Sequence, residues 1–393
     1  MSLVRTLVVA DETPWPRDTG YRQRLSGVLD GLAAAGPVSW VTFTPDPAAV
    51  PAPPPGLVAD ADAVPAPWLP RAARLLRAAA GPGPRWVAGR DWAPARAALP
   101  GLLARAPYDL VWFAHLEGWA GLGDLVPGPQ VVDLDNLMSV VMRRRASTAA
   151  RVARPVMALD AARWARLEER AARGAARLVV CSDVDAQRLG GRAVVVPNGY
   201  APSGPVPARR PVAPPVLLLV ASFDYPPNAD AASWFARDVL PLVRRTVPDA
   251  RLRLVGRTGG AHDVTELAGL AGVEVVGRVD DVAPELAGAT AVVAPLLSGG
   301  GTRIKVLEAF AYGVPVAATS VGAEGLDAVP GRHLLVGDDP GSLARACVTL
   351  LTDPGTGERL AAEAARLHHD RFRWEAVVPT VTRLAQDVAG SRG

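Results

Sequence analysis

The sequence contains one lysine, Lys305, and one isoleucine, Ile304, and the two are neighbours. All other cationic side chains of the Lys and Arg class are arginines, and alanine, glycine and proline are abundant. This composition is typical of a GC-rich, bacterial genome that avoids lysine and isoleucine codons alike. The rarity of Lys305 therefore assigns it no function by itself, and the chemistry of its neighbours has to decide.

Long apolar runs are also missing. None approaches the roughly 20 residues that a membrane-spanning helix needs, which excludes an integral membrane span. The first apolar run meets Asp11 and Glu12 at once and has no cleavage site of small residues, so we expect a buried strand there and no signal peptide. Cys181 and Cys347 are too few and too far apart for a disulfide scaffold or a cysteine metal cluster, and we expect a cytoplasmic protein.

Charge and glycine patterns exclude further classes. The formal net charge is only +3, the five histidines are scattered, and there is no concentrated basic face, so we expect no nucleic-acid partner. The sequence lacks the G-x-x-x-x-G-K-[ST] motif of P-loop proteins, and it lacks G-x-G-x-x-G after the first strand, where a dinucleotide oxidoreductase needs it. No Asp-x-Asp pair follows a strand in the second half, so we predict no metal site.

Short valine-rich segments alternate with helical segments rich in Ala, Leu and Arg. This alternation predicts parallel strands that are buried on both faces and joined by helical crossovers, an α/β fold. The predicted strands of the first half are 5–10, 38–44, 109–114, 130–135, 177–182 and 193–198, with a helix at about 20–35. Those of the second half are 216–222, 251–256, 273–277, 291–296, 315–319 and 333–337, with helices at 228–246, 303–312 and the C-terminus.

Proline-rich segments interrupt this alternation. We interpret residues 45–70 as a surface excursion and residues 197–215 as an interdomain linker. The helix around 149–176 carries several arginines, which we interpret as a solvated face. The prediction is two Rossmann-like domains, residues 1–204 and 205–375, with a C-terminal helix at 376–393 that returns to the first domain. Ligands in such sheets bind at the carboxyl ends of the strands, which places the expected site in a cleft between domains.

The segment 298–315, SGGGTRIKVLEAFAYGVP, follows a predicted strand and opens a helix. Glycines let the backbone approach a ligand closely, and free N–H groups at a helix start bind anions. Arg303 and Lys305 add two cations in the first turn, where the helix dipole disfavours positive charge unless an anion is bound. A diphosphate satisfies this pattern, with Glu308 available for a ribose diol. The alternative is a glycine-rich turn in which Lys305 and Glu308 form an ordinary i,i+3 ion pair.

Longer motifs carry a resemblance to a known family. The segments FDYPPNADAASWF, GRVDDVAPELAGATAVVAPLLSGGGTRIKVLEAFAYGVPVAATSVGAEGL and RFRWE resemble the donor domain of family 4 (group 1) retaining glycosyltransferases, which have the GT-B fold. The likeness covers most of residues 197–375. The first half is similar more loosely, through PWPRDTGYRQR, DLVWFAH, VDLDNL and VVPNG.

The resemblance implies a role for each matching donor-side residue. Arg303 and Lys305 would hold the donor diphosphate and Glu308 the ribose, with Gly300, Gly301 and Thr302 in the glycine-rich turn. Arg278 and Val279 match a loop that cradles the base, although a structural turn is the alternative. Ser222, in the first loop of the second domain, is also a predicted donor-binding residue. Two departures stand out: Gly300 replaces a glutamate that contacts the transferred sugar in many relatives, and the loop with Ser222 and Asn228 lacks their diphosphate-binding Arg/Lys pair.

The first half supplies the predicted acceptor side. Gly20 opens a helix that the donor diphosphate would approach, and His115 ends a strand where similar enzymes have a histidine near the sugar; a bland turn and a packed histidine are the respective alternatives. Four carboxylates would make this side acidic: Asp18, Glu117, Asp133 and Asp135. The predicted catalytic residues are His115, Arg303 and Lys305. Arg143, Arg144 and Arg145 would provide a weak peripheral contact with anionic lipid headgroups, or would simply be solvated.

The expected function is sugar transfer from a UDP, GDP or dTDP sugar to a hydroxyl of a polar small-molecule acceptor, with no cofactor. The acidic side would favour a cationic acceptor. Three alternatives stay open: a lipid-linked or polysaccharide acceptor, a nucleotide-sugar epimerase that turns over donor alone, and a non-catalytic sugar-nucleotide-binding subunit.

Overall fold

Two parallel sheets form the framework of the protein in a computed structural model that describes residues 3–17, 19–148, 151–259, 263–300 and 302–391. By contact density the chain divides into two units. The first ends at Asn198 and is joined again from Trp374 onward, and the second spans Gly199–Arg373. The boundary thus lies six residues before the predicted one at 204, because Gly199 and Tyr200 already belong to the second unit.

The first unit is built on seven strands, within the part of it that the structure describes, and every strand pair is parallel. The strands are β1 (Thr6–Ala10), β2 (Val38–Thr44), β3 (Asp60–Pro65), β4 (Leu110–Ala114), β5 (Gln130–Asp133), β6 (Arg177–Val180) and β7 (Ala193–Val195). The helices are α1 (Gly20–Ala35), α2 (Arg71–Ala80), α3 (Arg85–Ala88), α4 (Ala93–Leu103), α5 (Leu116–Leu122), α6 (Met138–Thr148), α7 (Arg154–Gly174) and α8 (Asp183–Arg188).

The second unit repeats the design with six strands among its described residues, again all parallel. These are β8 (Val216–Val220), β9 (Arg251–Val255), β10 (Val273–Gly277), β11 (Ala291–Ala294), β12 (Val316–Ala318) and β13 (Leu335–Val336). The helices are α9 (Pro226–Trp234), continued by a π-helical turn (Phe235–Val239) into α10 (Leu240–Thr246), then α11 (Ala283–Gly288), α12 (Ile304–Ala311), α13 (Ser320–Ala323), α14 (Pro340–Thr352) and α15 (Pro354–Arg371).

The last helix, α16 (Trp374–Gly390), packs on α1 in the first unit. Glycines on α1 allow the close approach: a Cβ added to Gly27 would lie 1.9 Å from the ring of Trp374, and one on Gly31 would lie 2.5 Å from the Cβ of Val381. The Thr382 hydroxyl donates to the carbonyl oxygen of Gly31 over 2.8 Å. The apolar face of α16 completes the core on that side of the first sheet.

Strand order defines where ligands bind in such folds. The first sheet runs β3-β2-β1-β4-β5-β6-β7 and the second β10-β9-β8-β11-β12-β13. In each, the chain leaves the middle strand toward one edge and later returns to the other side of it. The crevice outside the carboxyl ends at this point of reversal, between β1 and β4 and between β8 and β11, is the usual ligand position.

The α/β prediction is confirmed, and two local interpretations were wrong. Residues 45–70 are not only a surface excursion, because β3 within them pairs with β2 as the edge strand of the sheet. Its half-exposed side chains and terminal Pro65 are tolerated at an edge, which is why the segment lacks the valine-rich pattern. In α7, Asp160, Arg163 and Glu168 are buried, so the helix is not simply a solvated face.

Among the described residues, no helix combines the length and the apolar character needed to cross a bilayer.

Candidate functional site

The reversal point of the second sheet gathers most of the predicted donor residues. The loop after β8 carries Ser222 and leads into α9, and the loop after the neighbouring β11 leads through the glycine-rich turn into α12. Gly299 in that turn has φ of 129°, a conformation that favours glycine. The segment singled out from the sequence therefore lies at the carboxyl edge of the sheet, beside the first loop of the unit.

Lys305 lies in the first turn of α12 and points to the neighbouring loop. Its Nζ donates to Oδ1 of Asn228 over 2.6 Å, and Nδ2 of Asn228 donates to the carbonyl oxygen of Ser222 over 2.8 Å. Burial lowers the pKa of Lys305, the cation of Arg303 adds to this effect and Glu308 opposes it, with a resulting pKa of about 7. The site therefore holds an amine whose charged form would be stabilised by an incoming anion.

Glu308 lies one turn later on α12 and has a different partner. Its Oε1 accepts a 2.9 Å hydrogen bond from the hydroxyl of Tyr200. Burial raises the pKa of Glu308 to about 7, although Tyr200 and Lys305 act to lower it. Lys305 and Glu308 thus bind Asn228 and Tyr200 respectively, an arrangement that differs from the simple i,i+3 ion pair considered from the sequence.

Tyr200 was missed by the sequence analysis. It lies in the segment that we interpreted as a linker, and its backbone is fixed by two contacts with the end of the unit. The N–H of Tyr200 donates to the carbonyl oxygen of Phe372 over 2.8 Å, and the carbonyl oxygen of Tyr200 is 3.0 Å from Nε2 of His368. A tyrosine in a proline-rich segment was the available signal, but its partner Glu308 is 108 residues away.

Arg303 is placed differently from Lys305. It is buried, its Nε donates to the carbonyl oxygen of Val321 over 2.9 Å, and its Nη1 donates to the carbonyl oxygen of Gly300. Its Nη2 is 3.9 Å from the Glu324 carboxylate. In this state Arg303 secures the glycine-rich turn, so its direct contact with a diphosphate stays a prediction.

The remaining donor-side residues lie around the same edge. Thr302 is buried beside Arg303, whereas Gly301 lies outside the described residues. Arg278 is exposed and Val279 half-buried directly after β10, where Gly277 turns the chain with φ of 82°. The Ser222 hydroxyl donates to Oδ1 of Asp224 over 2.6 Å. The base-binding role of Arg278 and Val279 and the donor role of Ser222 stay predictions.

The reversal point of the first sheet holds a second polar cluster. Asp11 follows β1 and His115 follows β4, strands that pair with Ala10 opposite Ala114. The imidazole of His115 stacks on Tyr21 with ring centroids 4.3 Å apart, and its Nδ1 is 3.6 Å from Oδ1 of Asp11. The Tyr21 hydroxyl donates to the same Asp11 oxygen over 2.6 Å. Sequence analysis found His115 and missed Asp11 and Tyr21.

Backbone and electrostatics mark this cluster as specialised. His115 has φ of 105°, which is strained for a residue with a Cβ and is common at functional sites. Burial lowers the pKa of His115, but the carboxylates of Asp11 and Glu117 outweigh it and the pKa is raised. Burial also raises the pKa of Glu117. The carboxylates of the cluster therefore favour the protonated form of His115.

Asp133 and Asp135 have partners within the protein. Buried Arg24 of α1 donates to both carboxylate oxygens of Asp133, at 2.7 Å and 3.2 Å, and lies 3.6 Å from Asp135. Arg24 also donates to Oδ1 of Asn198 over 2.7 Å, and Asn198 in turn donates to Asp135 over 3.1 Å. Asp133 is 3% exposed, so it lies behind the surface that an acceptor would meet, and Arg24 compensates the acidity expected there.

Other first-unit predictions meet mixed settings. Gly20 is the first residue of α1, after Thr19 whose hydroxyl accepts from the N–H of Arg22 over 3.2 Å. Asp18 lies outside the described residues. Arg143 on α6 is exposed, with Nε bonded to the carbonyl oxygen of Ser139 at 3.2 Å, while Arg144 and Arg145 are half-buried. Across the described ranges, no group of three or more His, Cys, Asp or Glu side chains is arranged to hold a metal ion.

Comparison with known proteins agrees with this geometry. Residues 214–353 match the family model described as Glycosyl transferases group 1. Over 214 residues the chain is 30% identical to the phosphatidyl-myo-inositol mannosyltransferase of Mycobacterium leprae (strain TN), covering 52% of this chain and 56% of that protein. The alignment thus spans little more than half the length of this curated relative.

Solved structures share the whole architecture. Sucrose-phosphate synthase from Thermosynechococcus elongatus superposes with a TM-score of 0.71 at 18% identity, covering 99% of this chain and 100% of that one. HepE from Anabaena in complex with UDP-glucose gives 0.63 at 15% identity, covering 98% and 99%. Residues 214–353 thus resemble the group 1 glycosyltransferases, and the chain has the α/β GT-B fold of these solved structures.

Proposed function

We propose that the protein is a retaining glycosyltransferase that uses a nucleotide-diphosphate sugar as donor. The observation that carries this proposal is that Lys305 and Glu308 lie one turn apart on α12. This helix follows the reversal point of the second sheet, and that sheet lies within the residues that match the family model. An amine poised to become a cation suits a diphosphate, and a carboxylate one turn away suits a ribose diol. The UDP-glucose complex of HepE supports a nucleotide sugar as the ligand class.

The proposed chemistry needs positioning and charge stabilisation. An acceptor hydroxyl oxygen forms a bond to the anomeric carbon while the bond from that carbon to the diphosphate oxygen breaks. If both events occur on one face of the sugar, the configuration is retained, and the departing diphosphate oxygen takes the acceptor proton. Lys305 would stabilise the charge that develops on this leaving group, the kind of effect that contributes most to many enzyme rates.

We propose a polar small molecule as acceptor, bound near His115. Asp11, Tyr21 and Glu117 supply hydroxyl and carboxylate groups there. The case for a cationic acceptor is weaker than the sequence implied, because Arg24 neutralises Asp133 and part of the charge of Asp135. A lipid acceptor is the second candidate, favoured by the name of the mannosyltransferase relative, whose substrate is a phosphatidyl-myo-inositol.

A ligand panel tests the donor assignment. Thermal unfolding would be followed with UDP, GDP, dTDP and NAD, and we expect stabilisation by one nucleoside diphosphate that is reduced in Lys305→Met. Hydrolysis would then be assayed with sugar donors that carry the nucleotide that stabilises the protein. Stabilisation by NAD alone, or by no nucleotide at all, would contradict the proposal. Turnover of donor without any acceptor, yielding an epimer, would identify the epimerase alternative.

Acceptor screening separates the two acceptor classes. Soluble aminocyclitols and glycosides would be compared with polyprenyl-diphosphate sugars and phosphatidylinositol. We expect transfer to the soluble set, lost in His115→Ala while nucleotide binding is kept. Transfer only to lipid acceptors, lost when Arg143, Arg144 and Arg145 are changed to Ser, would overturn this choice. Nucleotide binding without transfer to either set would favour a non-catalytic subunit.

We also propose that no metal is required, because Lys305 and Arg303 provide cations in the donor segment. Transfer should continue at an undiminished rate in EDTA. Loss of transfer in EDTA with recovery on adding Mg²⁺ or Mn²⁺ would show that a cation bridges the diphosphate.

A further inference from the structure

Arg257 occupies a position next to the proposed donor site that the sequence analysis did not consider. It lies two residues after β9, the strand that pairs with β8 on the side away from β11. Its Nη2 and Nε are 3.1 Å and 3.3 Å from the hydroxyl oxygen of Ser222, and its Nη2 is 3.5 Å from the carboxylate of Asp224. A guanidinium therefore contacts the same loop that Lys305 reaches from the other side.

The backbone fixes this position tightly. Gly256 has φ of 138°, and a Cβ added there would lie 1.8 Å from the carbonyl oxygen of Ala221. The N–H of Phe223 donates to the carbonyl oxygen of Arg257 over 2.8 Å, and the N–H of Gly256 donates to that of Gly277 over 2.8 Å. Only glycine permits so close an approach between the end of β9 and the loop after β8. The base of the Arg257 side chain is thus held in place, while the side chain itself is 51% exposed.

Arg257 and Lys305 are linked through this loop. Arg257 donates to the Ser222 hydroxyl, the Ser222 carbonyl accepts from Asn228, and Asn228 accepts from Lys305. A donor diphosphate carries about two negative charges, and Lys305 supplies at most one positive charge. Arg303 is engaged with the carbonyl oxygens of Gly300 in the glycine-rich turn and of Val321 in α13. A second accessible cation at this edge would complete the compensation.

We propose that Arg257 binds a phosphate of the donor diphosphate, exchanging its contact with Asp224 for the ligand. This inference rests on the proposed function and deepens it, because Arg257 replaces the Arg/Lys pair that the loop with Ser222 lacks. Asp224 is an exposed carboxylate beside the guanidinium, so it competes with an anionic ligand. A planar guanidinium presents paired donors that match phosphate oxygens.

Binding measurements on single variants test the assignment. Calorimetric affinities would be determined for the nucleoside diphosphate that stabilises the wild type and for the matching nucleoside. Arg257→Gln should weaken diphosphate binding about tenfold or more and leave nucleoside binding unchanged, whereas Arg257→Lys should recover part of the loss. Asp224→Asn should strengthen diphosphate binding, since the competing carboxylate is gone.

Arg237→Gln is the matched control. Arg237 is 50% exposed, lies in the same unit and forms a comparable ion pair with Glu266 at 2.8 Å. The Arg237→Gln variant should bind the nucleoside diphosphate and the nucleoside with the same affinities as the wild type. Equal weakening of diphosphate and nucleoside binding by Arg257→Gln, or no weakening at all, would overturn the inference. If the wild type binds no nucleoside diphosphate, the proposed function itself fails, and this result is distinct from a silent Arg257→Gln variant.

Discussion

Burial makes the protonation of Lys305 depend on whether an anion is bound. In water its amine would stay protonated to above pH 10. In the protein, loss of solvation and the neighbouring Arg303 cation bring its pKa to about 7. A diphosphate reverses both effects by supplying an anion, so binding and protonation of Lys305 are thermodynamically coupled.

This coupling predicts a pH dependence of affinity. Above pH 7 the free protein holds a neutral Lys305, so diphosphate binding has to take up a proton, and affinity should fall by as much as about tenfold per pH unit. Calorimetry between pH 8 and 9.5 avoids titration of the terminal phosphate, whose pKa is about 6. Lys305→Arg keeps its charge over this range and should remove the dependence. A wild-type affinity that is constant over this range would contradict the assignment.

Tyr200 supports a second prediction at this scale. Tyr200→Phe removes the hydrogen bond that holds the Glu308 carboxylate, which leaves its pKa still higher and its orientation free. Affinity for the ribonucleoside diphosphate should fall about two- to tenfold, as expected for one hydrogen bond. Affinity for the 2′,3′-dideoxy analogue should not change, because the loss is confined to the ribose contact. A uniform loss for both ligands would show that Tyr200 only stabilises the fold.

Individual residues differ in how far sequence could reveal them. Lys305 and Glu308 were found because glycines, cations and a carboxylate lie within one short segment. Tyr200, Asp11 and Arg24 were missed because each acts through a partner that lies far from it in sequence or in another element. Arg24 and Asp133, for example, are 109 residues apart. Only the fold brings such pairs together, and no spacing rule encodes them.

At the scale of elements, the Arg24 network joins a helix to two strand ends. Arg24 is 2% exposed in its side chain and connects α1 to Asp133 at the end of β5 and to the carbonyl oxygen of Val196 beyond β7. Burial alone would lower the pKa of Arg24, but Asp133 and Asp135 outweigh it and the pKa is raised. The guanidinium therefore stays charged, and its hydrogen bonds connect α1 to the ends of β5 and β7.

Removing that charge should be costly. Arg24→Met leaves Asp133 buried without its counter-charge, and we expect a loss of about 3–5 kcal/mol of unfolding free energy. Chemical denaturation monitored by tryptophan fluorescence would measure it. The double variant Arg24→Met, Asp133→Leu should recover much of the loss, since the buried carboxylate of Asp133 is removed together with its partner. Equal stability of wild type and Arg24→Met would show that the ion pair contributes little.

The packing of α16 on α1 gives a prediction for helix contacts. Gly27→Leu would place side-chain atoms where Trp374 lies, and overpacking of this kind costs about 1–3 kcal/mol. The melting temperature should fall by several degrees. Gly101→Leu on α4 is the control, because an added Cβ there meets no atom within 4 Å. If both variants melt alike, the contact between α1 and α16 is not tight.

The central strands of both sheets were predicted, whereas the edge strand β3 was not. The valine-rich central strands were found in both halves because burial on two faces gives a continuous apolar run. Strand β3 was missed because an edge strand needs no such run, and the pairing with β2 that makes it a strand is a tertiary contact. The helices α2, α3 and α4, which lie in a stretch rich in alanine and proline, were likewise not predicted.

At the scale of the whole molecule, both polar clusters lie at equivalent points of two sheets. The His115 cluster follows β1 and β4, and the Lys305 cluster follows β8 and β11, the strands between which each sheet reverses its order. The alternation of strands and helices implied two such sheets, but strand order is absent from the sequence pattern. The family resemblance implied the GT-B fold, and the structure gives the strand order and the contacts that define the candidate sites.

The return of α16 to the first unit also affects the order in which the two units can fold during translation. In the first unit, Trp374 and Val381 pack against α1, yet these residues leave the ribosome only after the whole of Gly199–Arg373 has been made. At about 5–20 residues per second, this delay is roughly 10–35 s. During that interval the nascent chain presents an uncovered helix face, while the second unit, which is continuous in sequence, can finish folding. The half of the protein that is translated first is therefore the half that is completed last.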